Sequence, residues 1–449
     1  MNRVWLRMLP SFIQAQLNGR HNLQKILGNT SWLFFDKMLR MGVGLFVGVW
    51  MARYLGPEQF GAFNFAIAFV ALFGTFASLG LDGIVIRDIV REPARKYELL
   101  SSAFVLKLCG GCVAFLISLS AIFIMRPADS QAHWLVGIIA AGLIFQSFDA
   151  IDLWFQSQVQ SKYTVLAKNG AFVILTVVRV FLILTKAPLV AFAYAALAEI
   201  IIGAAGLIMF YVGQKTMPSW CPRKEIARRL LSESCPAIIS GLAIMIYMRI
   251  DQVMLAQMMG NREVGIYSAA LRFSEIWYFI PMAIVGSVMP YLTHAKQESE
   301  EIYLRRNQQL FNNLARVAFA IAVPMTFLAT FLVKSLYGQA YAGAGTILAI
   351  HIWAAVFVFI GVGMSPWFFN EGLLKYSLLQ TVTGAIVNIG LNIFLIPRYG
   401  GAGAAIATVV SYGLAAWIFN WFFKKTRKLF MMQALAMLNA PNIFKGIVK

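Results

Sequence analysis

Apolar residues in this chain come in blocks about 20 residues long, separated by short polar segments. A bilayer core of roughly 30 Å is crossed by about 20 helical residues, so the pattern predicts membrane helices in series. They fall at 31–54, 60–82, 101–125, 134–155, 169–186 and 189–213 and, after a basic break, at 233–256, 264–292, 309–333, 343–369, 377–396 and 402–423. A soluble core explains one fully apolar helix, but not a dozen in succession. The expected fold is an all-α integral membrane protein with 12 transmembrane helices. The flanking segments are 1–30, a basic linker at 214–232 and a basic tail at 424–449. The end of the tail, LFMMQALAMLNAPNIFKGIVK, reads either as an amphipathic helix on the membrane surface or as a disordered segment.

Composition agrees. Of 449 residues, 60% are hydrophobic and 13% charged, and the mean hydropathy is +0.71. A soluble chain is nearer half apolar and a quarter charged. The formal charge of +19 would suggest nucleic acid or an anionic surface, but its distribution points to topology first. If the side holding 1–30 is the inside, the inside segments carry 25 Lys and Arg against 5 in the outside loops. Cytoplasmic loops carry such an excess. One missed helix would scramble every later loop, so the asymmetry supports twelve spans and puts both ends in the cytoplasm. No nucleic-acid motif and no cleavable signal are seen, and the first helix is expected to direct insertion.

The inside and outside loops are too short for a further domain, and there is no GxxxxGK[ST] segment. Transport by this chain would be driven by an ion or substrate gradient. No cofactor, metal or catalytic residue is indicated. Cys109 and Cys112, in LCGGC, read as small buried residues at a helix contact rather than as a redox pair, which needs exposure. YGGAGAA at 399–405 reads as a tight helix entry, and His351 as a packed residue. Prolines 236, 281, 290, 324 and 366 predict kinks.

The halves resemble one another. In ARYLGPEQFGAFNFAIAF (52–69) and AQMMGNREVGIYSAALRF (256–273), Ala52/Ala256, Gly56/Gly260, Gly61/Gly265, Ala66/Ala270 and Phe69/Phe273 coincide without gaps. Six helices separate the two junctions, so the repeats are parallel, related by an axis along the membrane normal. The reading is two six-helix lobes, 31–213 and 233–423, with a cavity between them.

A charge at a helix centre costs at least about 2.5–3.5 kcal/mol on insertion scales. The deepest charges are Arg179, Glu199, Arg249, Asp251, Arg272 and Glu275; nearer the inside lie Asp36, Lys37, Arg40, Lys107, Asp149, Asp152 and Arg316. Asp36 with Arg40, and Arg272 with Glu275, share helix faces and suit intrahelical ion pairs. Asp149 and Asp152 share a face but repel, and want a cation between them or water around them. Arg249 has no carboxylate three or four residues away; it must find one across the cavity or meet an anionic ligand. Helix-to-helix ion pairing is the plain alternative for each of these charges. A partly cationic cavity suits phosphate, which Arg binds in bidentate fashion. Trp277, Tyr278 and Tyr247 read as core aromatics or as platforms for sugars.

The stretches MARYLGPEQFGAFNFAIAF, YMRIDQVMLAQMMGNREVGIYSAALRFSEIW and NIFLIPRYGGAGAAIATVVSYG resemble the polysaccharide-export flippases. These are the Wzx-type O-antigen and exopolysaccharide transporters of the multidrug/oligosaccharidyl-lipid/polysaccharide exporter superfamily. The resemblance runs from about 28 to 424. It implies a two-lobed protein of the bacterial inner membrane. Its substrate would be an undecaprenyl-pyrophosphate-linked oligosaccharide, moved from the cytoplasmic to the periplasmic leaflet, with a polysaccharide polymerase and a chain-length regulator as partners. It places Arg249, Asp251, Arg272 and Glu275 in the cavity, with proton or sodium coupling; Arg179, Glu199, Arg40 and Asp36 are the further candidates. Alternatives are a multidrug/cation antiporter of the same superfamily, whose cavity would be anionic, and a lipid II flippase, which usually carries two further helices. A membrane glycosyltransferase or polymerase would need a soluble domain or a long outer loop.

Overall fold

A computed structural model describes residues 21–214 and 221–440. Part of the expected 1–30 segment, the middle of the 214–232 linker and the last nine residues of the tail lie outside the described residues. Among the described residues all regular structure is helical. Ten helical stretches among the described residues are long and apolar enough to cross a membrane.

The count differs from twelve at two places. The pair expected at 31–54 and 60–82 runs together as His21–Ser78, and most of the pair at 377–396 and 402–423 as Leu374–Ala416, each being two helices joined at a kink. Each contains one glycine outside the helical region: Gly56 has φ 69° and ψ 169°, and Gly400 has φ 55° and ψ −134°. Residues with a Cβ rarely adopt such angles. The path therefore breaks at a single residue, with no polar loop to mark it. After Gly56 comes Pro57, whose fixed φ suits a first helical position. Gly260, the repeat partner of Gly56, has φ 89° and ψ 175° and caps the helix that starts at Asn261.

Other expected helices are interrupted by tighter turns. The one at 134–155 becomes Ser130–Phe145 and Asp149–Ser157, and the one at 264–292 becomes Asn261–Glu275 and Phe279–Glu298. The one at 343–369 becomes Gly343–His351, Ala354–Gly363 and Ser365–Asn370. Pro281 and Pro366 stand in the first turn after such interruptions, where a missing N–H is tolerated. Pro236, Pro290 and Pro324 lie inside continuous helices.

The chain divides into two compact units. The first gathers the described residues up to Val47 with Phe76–Ser120 and those of Gly137–Ala237. Its strongest packing is between the helices Lys162–Leu184 and Leu189–Val212. The second gathers Gly48–Thr75, Ala121–Val136 and the described residues from Ile238 onward. Its core forms around the helix Glu300–Tyr337, which packs on Gly343–His351, Ala354–Gly363 and Arg427–Asn439. That last helix is the start of the tail. One face of it is packed, with Leu429, Met432, Gln433 and Ala436 buried, and Met431, Leu435 and Leu438 are exposed on the other. Gln433 donates to the carbonyl of Ala416 at 3.0 Å and accepts from Asn420 at 3.1 Å.

One expectation fails outright. Cys109 and Cys112 are exposed. The glycines between them make the helix contacts instead, Gly110 against the backbone at Phe76 and Gly111 against that at Leu143. The helix shows its thiols to the surroundings because the smaller residues allow the closer approach.

Candidate functional site

The charges expected in the membrane sort into two groups, one in each unit. In the first unit, Asp36, Arg40, Glu199 and Arg179 form an alternating row. Arg40 Nε meets Asp36 Oδ1 at 2.9 Å, its Nη1 meets Glu199 Oε1 at 3.4 Å, and Arg179 Nη2 meets Glu199 Oε2 at 2.7 Å. Three helices supply these four side chains, and the row neutralises itself. The Arg40 guanidinium also lies 5.1 Å from the centre of the Phe172 ring.

Next to this row, Lys168 is the cation between Asp149 and Asp152, one of the two arrangements their repulsion allows. Its Nζ is 2.9 Å from Asp149 and 3.2 Å from Asp152, and Thr164 donates to Asp152 at 2.7 Å. The sequence pattern places Lys168 in a loop; it lies instead in the second turn of the helix Lys162–Leu184. Arg40, Lys168, Asp149 and Glu199 line a cavity of about 180 Å³ together with Gln146. Two cations face two carboxylates there.

The second unit holds a larger cavity of about 400 Å³, within the range of small-ligand sites. Its charged lining is Arg249, Arg272 and Glu275, and Asn64, Gln252 and Ser268 add neutral polar groups. Two guanidinium groups thus face one carboxylate. Arg249 finds the carboxylate its own helix lacks: Nη1 and Nη2 lie 3.3 and 3.4 Å from the two oxygens of Glu275. These distances exceed the 2.7–2.9 Å usual for a tight charged hydrogen bond. Glu275 therefore holds Arg249 in position with a loose grip.

Arg272 is placed by the opposite half of the sequence. Its guanidinium lies over the Phe60 ring, 5.1 Å from the centre. It also lies against Gly48, where any side chain would fall on its terminal nitrogen. Apolar walls come from Ile67, Ala68, Ala71, Met245, Met248 and Leu271. Nothing in the charge pattern marks Gly48, Phe60, Asn64 or Ser268, because small, aromatic and neutral polar residues are common in any membrane helix.

Asp251 does not line this cavity. It sits two residues beyond Arg249 on another face, 2% exposed, and accepts from Tyr267 at 2.6 Å and Thr408 at 2.7 Å. The aromatics are core residues: Tyr247 stacks on Tyr412 with centroids 4.3 Å apart, and Tyr278 is buried. His351 is packed, its Nδ1 2.8 Å from the Ser274 hydroxyl.

Comparison with known proteins adds the following. A family described as polysaccharide biosynthesis protein matches residues 26–296. A Haloferax volcanii protein described as a low-salt glycan biosynthesis flippase, Agl15, is 25% identical over 396 residues, which cover 83% of this chain and 78% of that protein. A Shigella flexneri protein described as an O-antigen transporter is 23% identical over 423 residues, covering 89% of this chain and 98% of its own length. Among solved structures, an inward-facing multidrug transporter of the MATE family and MOP superfamily matches with a TM-score of 0.68 at 18% identity, over 88% of this chain and 95% of that one. The lipid II flippase MurJ in an inward closed conformation matches with a TM-score of 0.67 at 16% identity, over 94% of this chain and all of that one. These two share the fold.

Proposed function

The chain belongs to the polysaccharide biosynthesis protein family, and on that premise we propose that it is a flippase for a lipid-linked oligosaccharide. The substrate is an undecaprenyl-pyrophosphate-linked repeat unit, carried from the cytoplasmic to the periplasmic leaflet of a bacterial inner membrane by alternating access. The observation that carries this reading is the lining of the larger cavity, where Arg249 and Arg272 come together with Glu275 beside neutral polar and apolar walls. A pyrophosphate takes up both guanidinium groups, drawing Arg249 from its loose pairing with Glu275. The prenyl tail stays in lipid. The relatives described as a glycan flippase and an O-antigen transporter support the same substrate class.

Twelve spans remain the reading of the topology. The first candidate span runs 56 residues and the last 48. At about 20 residues per crossing of a bilayer core of roughly 30 Å, each holds enough residues for two spans. Dividing each at its glycine, Gly56 and Gly400, turns ten into twelve. The lobes are then 31–213 and 233–423, joined by the basic linker 214–232, with both ends and the 424–449 tail in the cytoplasm. The lobes move against one another on an ion or substrate gradient, and the polymerase and chain-length regulator of the polysaccharide act after this step.

A drug/cation antiporter and a lipid II flippase share the fold. The antiporter fits less well, because a cationic drug would meet an excess of guanidinium. The test is surface polysaccharide in cells carrying Arg272→Ala or Arg249→Ala. Loss of export at normal membrane levels of the protein supports the reading; wild-type export from both folded variants removes the cavity from the mechanism.

A further inference from the structure

The second compact unit is not one half of the sequence. It joins two segments of the first half, Gly48–Thr75 and Ala121–Val136, to the described residues from Ile238 onward. Part of the join is made at the short junctions on the side that the charge pattern makes the outside. Two side chains stand out there, Arg126 and Tyr341, and both lie within this unit.

Arg126 follows the helix Lys96–Met125 and is one of the five cations expected in outside loops. Its side chain is nonetheless only 11% exposed. Nη2 donates to the carbonyl of Ala256 at 2.7 Å, and Nη1 donates to Asn261 Oδ1 at 3.2 Å and to Asp129 Oδ2 at 3.1 Å. Nε reaches Gln257 Oε1 at 3.4 Å, and the guanidinium lies 4.2 Å from the centre of the Phe65 ring. The loop that carries Arg126 is braced: Asp129 Oδ1 accepts from the Ala132 amide at 3.0 Å, and His133 Nε2 lies 2.8 Å from the Arg126 carbonyl. Ala256 stands in the last turn of the helix Lys224–Met258, and the final carbonyls of a helix have no partner within it. A cation at that place also meets the negative end of the helix dipole.

Tyr341 does the same in the other direction. Ala52 is the repeat partner of Ala256 and precedes Gly56 as Ala256 precedes Gly260. Its carbonyl, in the last turn before the kink, accepts from the Tyr341 hydroxyl at 2.8 Å. Tyr341 is buried and packs edge-on against Phe60. It follows the helix Glu300–Tyr337 as Arg126 follows Lys96–Met125, and in the twelve-helix reading these are the ninth and the third helices. Each half therefore reaches across from the same junction and caps the same carbonyl of the other. The residue types differ, so no repeat in the sequence marks the pair. The two capped turns also touch, the carbonyl of Pro57 lying against Gly265. Alternating access requires the outer ends of the halves to part, and caps made across the halves must then break.

We propose that Arg126 and Tyr341 are paired latches that hold the outer ends of the two halves together, and that both let go when the cavity opens to the outside. The proposal rests on the alternating access of the flippase reading and not on its substrate. The experiment places a single cysteine in the cavity wall, Ala71→Cys, in a full chain whose four native cysteines are replaced by alanine. A membrane-impermeant maleimide is added to spheroplasts, which expose the outer side, and to inverted membrane vesicles, which expose the inner side. Arg126→Ala should raise the rate of outer labelling about tenfold and Tyr341→Phe about threefold, as expected of one charged and one neutral hydrogen bond. Inner labelling should not rise. If Arg126→Ala does not reach the membrane, Tyr341→Phe, which removes one oxygen, carries the test. Unchanged outer labelling in the variants that fold, an equal rise from both sides, or a rise from the inner side alone overturns the latch. No glycan enters the measurement, so its failure leaves the substrate reading standing, and failed export tests on Arg249 and Arg272 leave the latch standing.

Discussion

Gly61 and Gly265 lie against one another in a reciprocal contact: a methyl on Gly61 would strike the carbonyl oxygen of Asn261, and one on Gly265 would strike that of Pro57. Pro57 and Asn261 are themselves partners in the sequence repeat, so each half offers the same close surface to the other. Substitution here meets backbone, which cannot swing aside as a side chain can. Gly61→Ala or Gly265→Ala should cost about 1–3 kcal/mol, the usual range for overpacking. The unfolding midpoint of the purified protein reads it directly, and a wild-type midpoint in both would show that the helices separate freely at this point.

Arg272→Ala and Arg249→Ala should each lower export of surface polysaccharide about tenfold to a hundredfold, because a hydrogen bond between charged groups contributes roughly 1.5–3 kcal/mol and each 1.4 kcal/mol is a factor of ten. Protein in the membrane should be unchanged. Arg272→Lys should recover only part of the loss, since an ammonium cannot reproduce the bidentate fork. Full recovery with lysine would show that charge alone suffices.

Gly48→Ala tests the seat of Arg272 without altering any charge. The added methyl occupies the position of the guanidinium and forces the side chain elsewhere. Export should fall, and Gly48→Ala in an Arg272→Ala background should add little further loss, as expected of groups in direct contact. Additive losses would show that Gly48 matters for another reason.

Glu199→Gln separates structure from transport in the first unit. It leaves Arg40 without its second carboxylate and Arg179 without the partner at 2.7 Å. Removing one member of a buried pair costs up to about 3–5 kcal/mol, and the partial exposure of these groups reduces that. The unfolding midpoint should fall, and Glu199→Gln with Arg179→Gln should restore part of it. A wild-type midpoint together with lost export would instead make the row part of the transport path.

The deep charges were readable because charge is rare in a membrane helix. The search of Arg249 for a carboxylate led to Glu275, and the repulsion between Asp149 and Asp152 to Lys168. Other features left no such mark. Gly56 and Gly400 break helices without a polar loop, so hydropathy alone could not place those breaks exactly. Small size at Cys109 and Cys112 suggested burial, but size does not say which face a helix turns inward; Gly110 and Gly111 took the contact. Gly48 and Phe60 seat Arg272 from 200 or more positions away, a relation that no local pattern encodes. Asp251 was legible as a deep charge, yet its turn away from the cavity depends on Tyr267 and Thr408.

The helix Arg427–Asn439 gives the protein an engineering boundary. Gln433 completes the hydrogen bonding of Ala416 and Asn420 where the last long helix ends. A reporter fused after residue 440 should leave that cap in place, whereas cutting the chain at 424, where hydropathy alone would put the end of the membrane domain, strips it away and bares the face that Leu429 and Met432 cover.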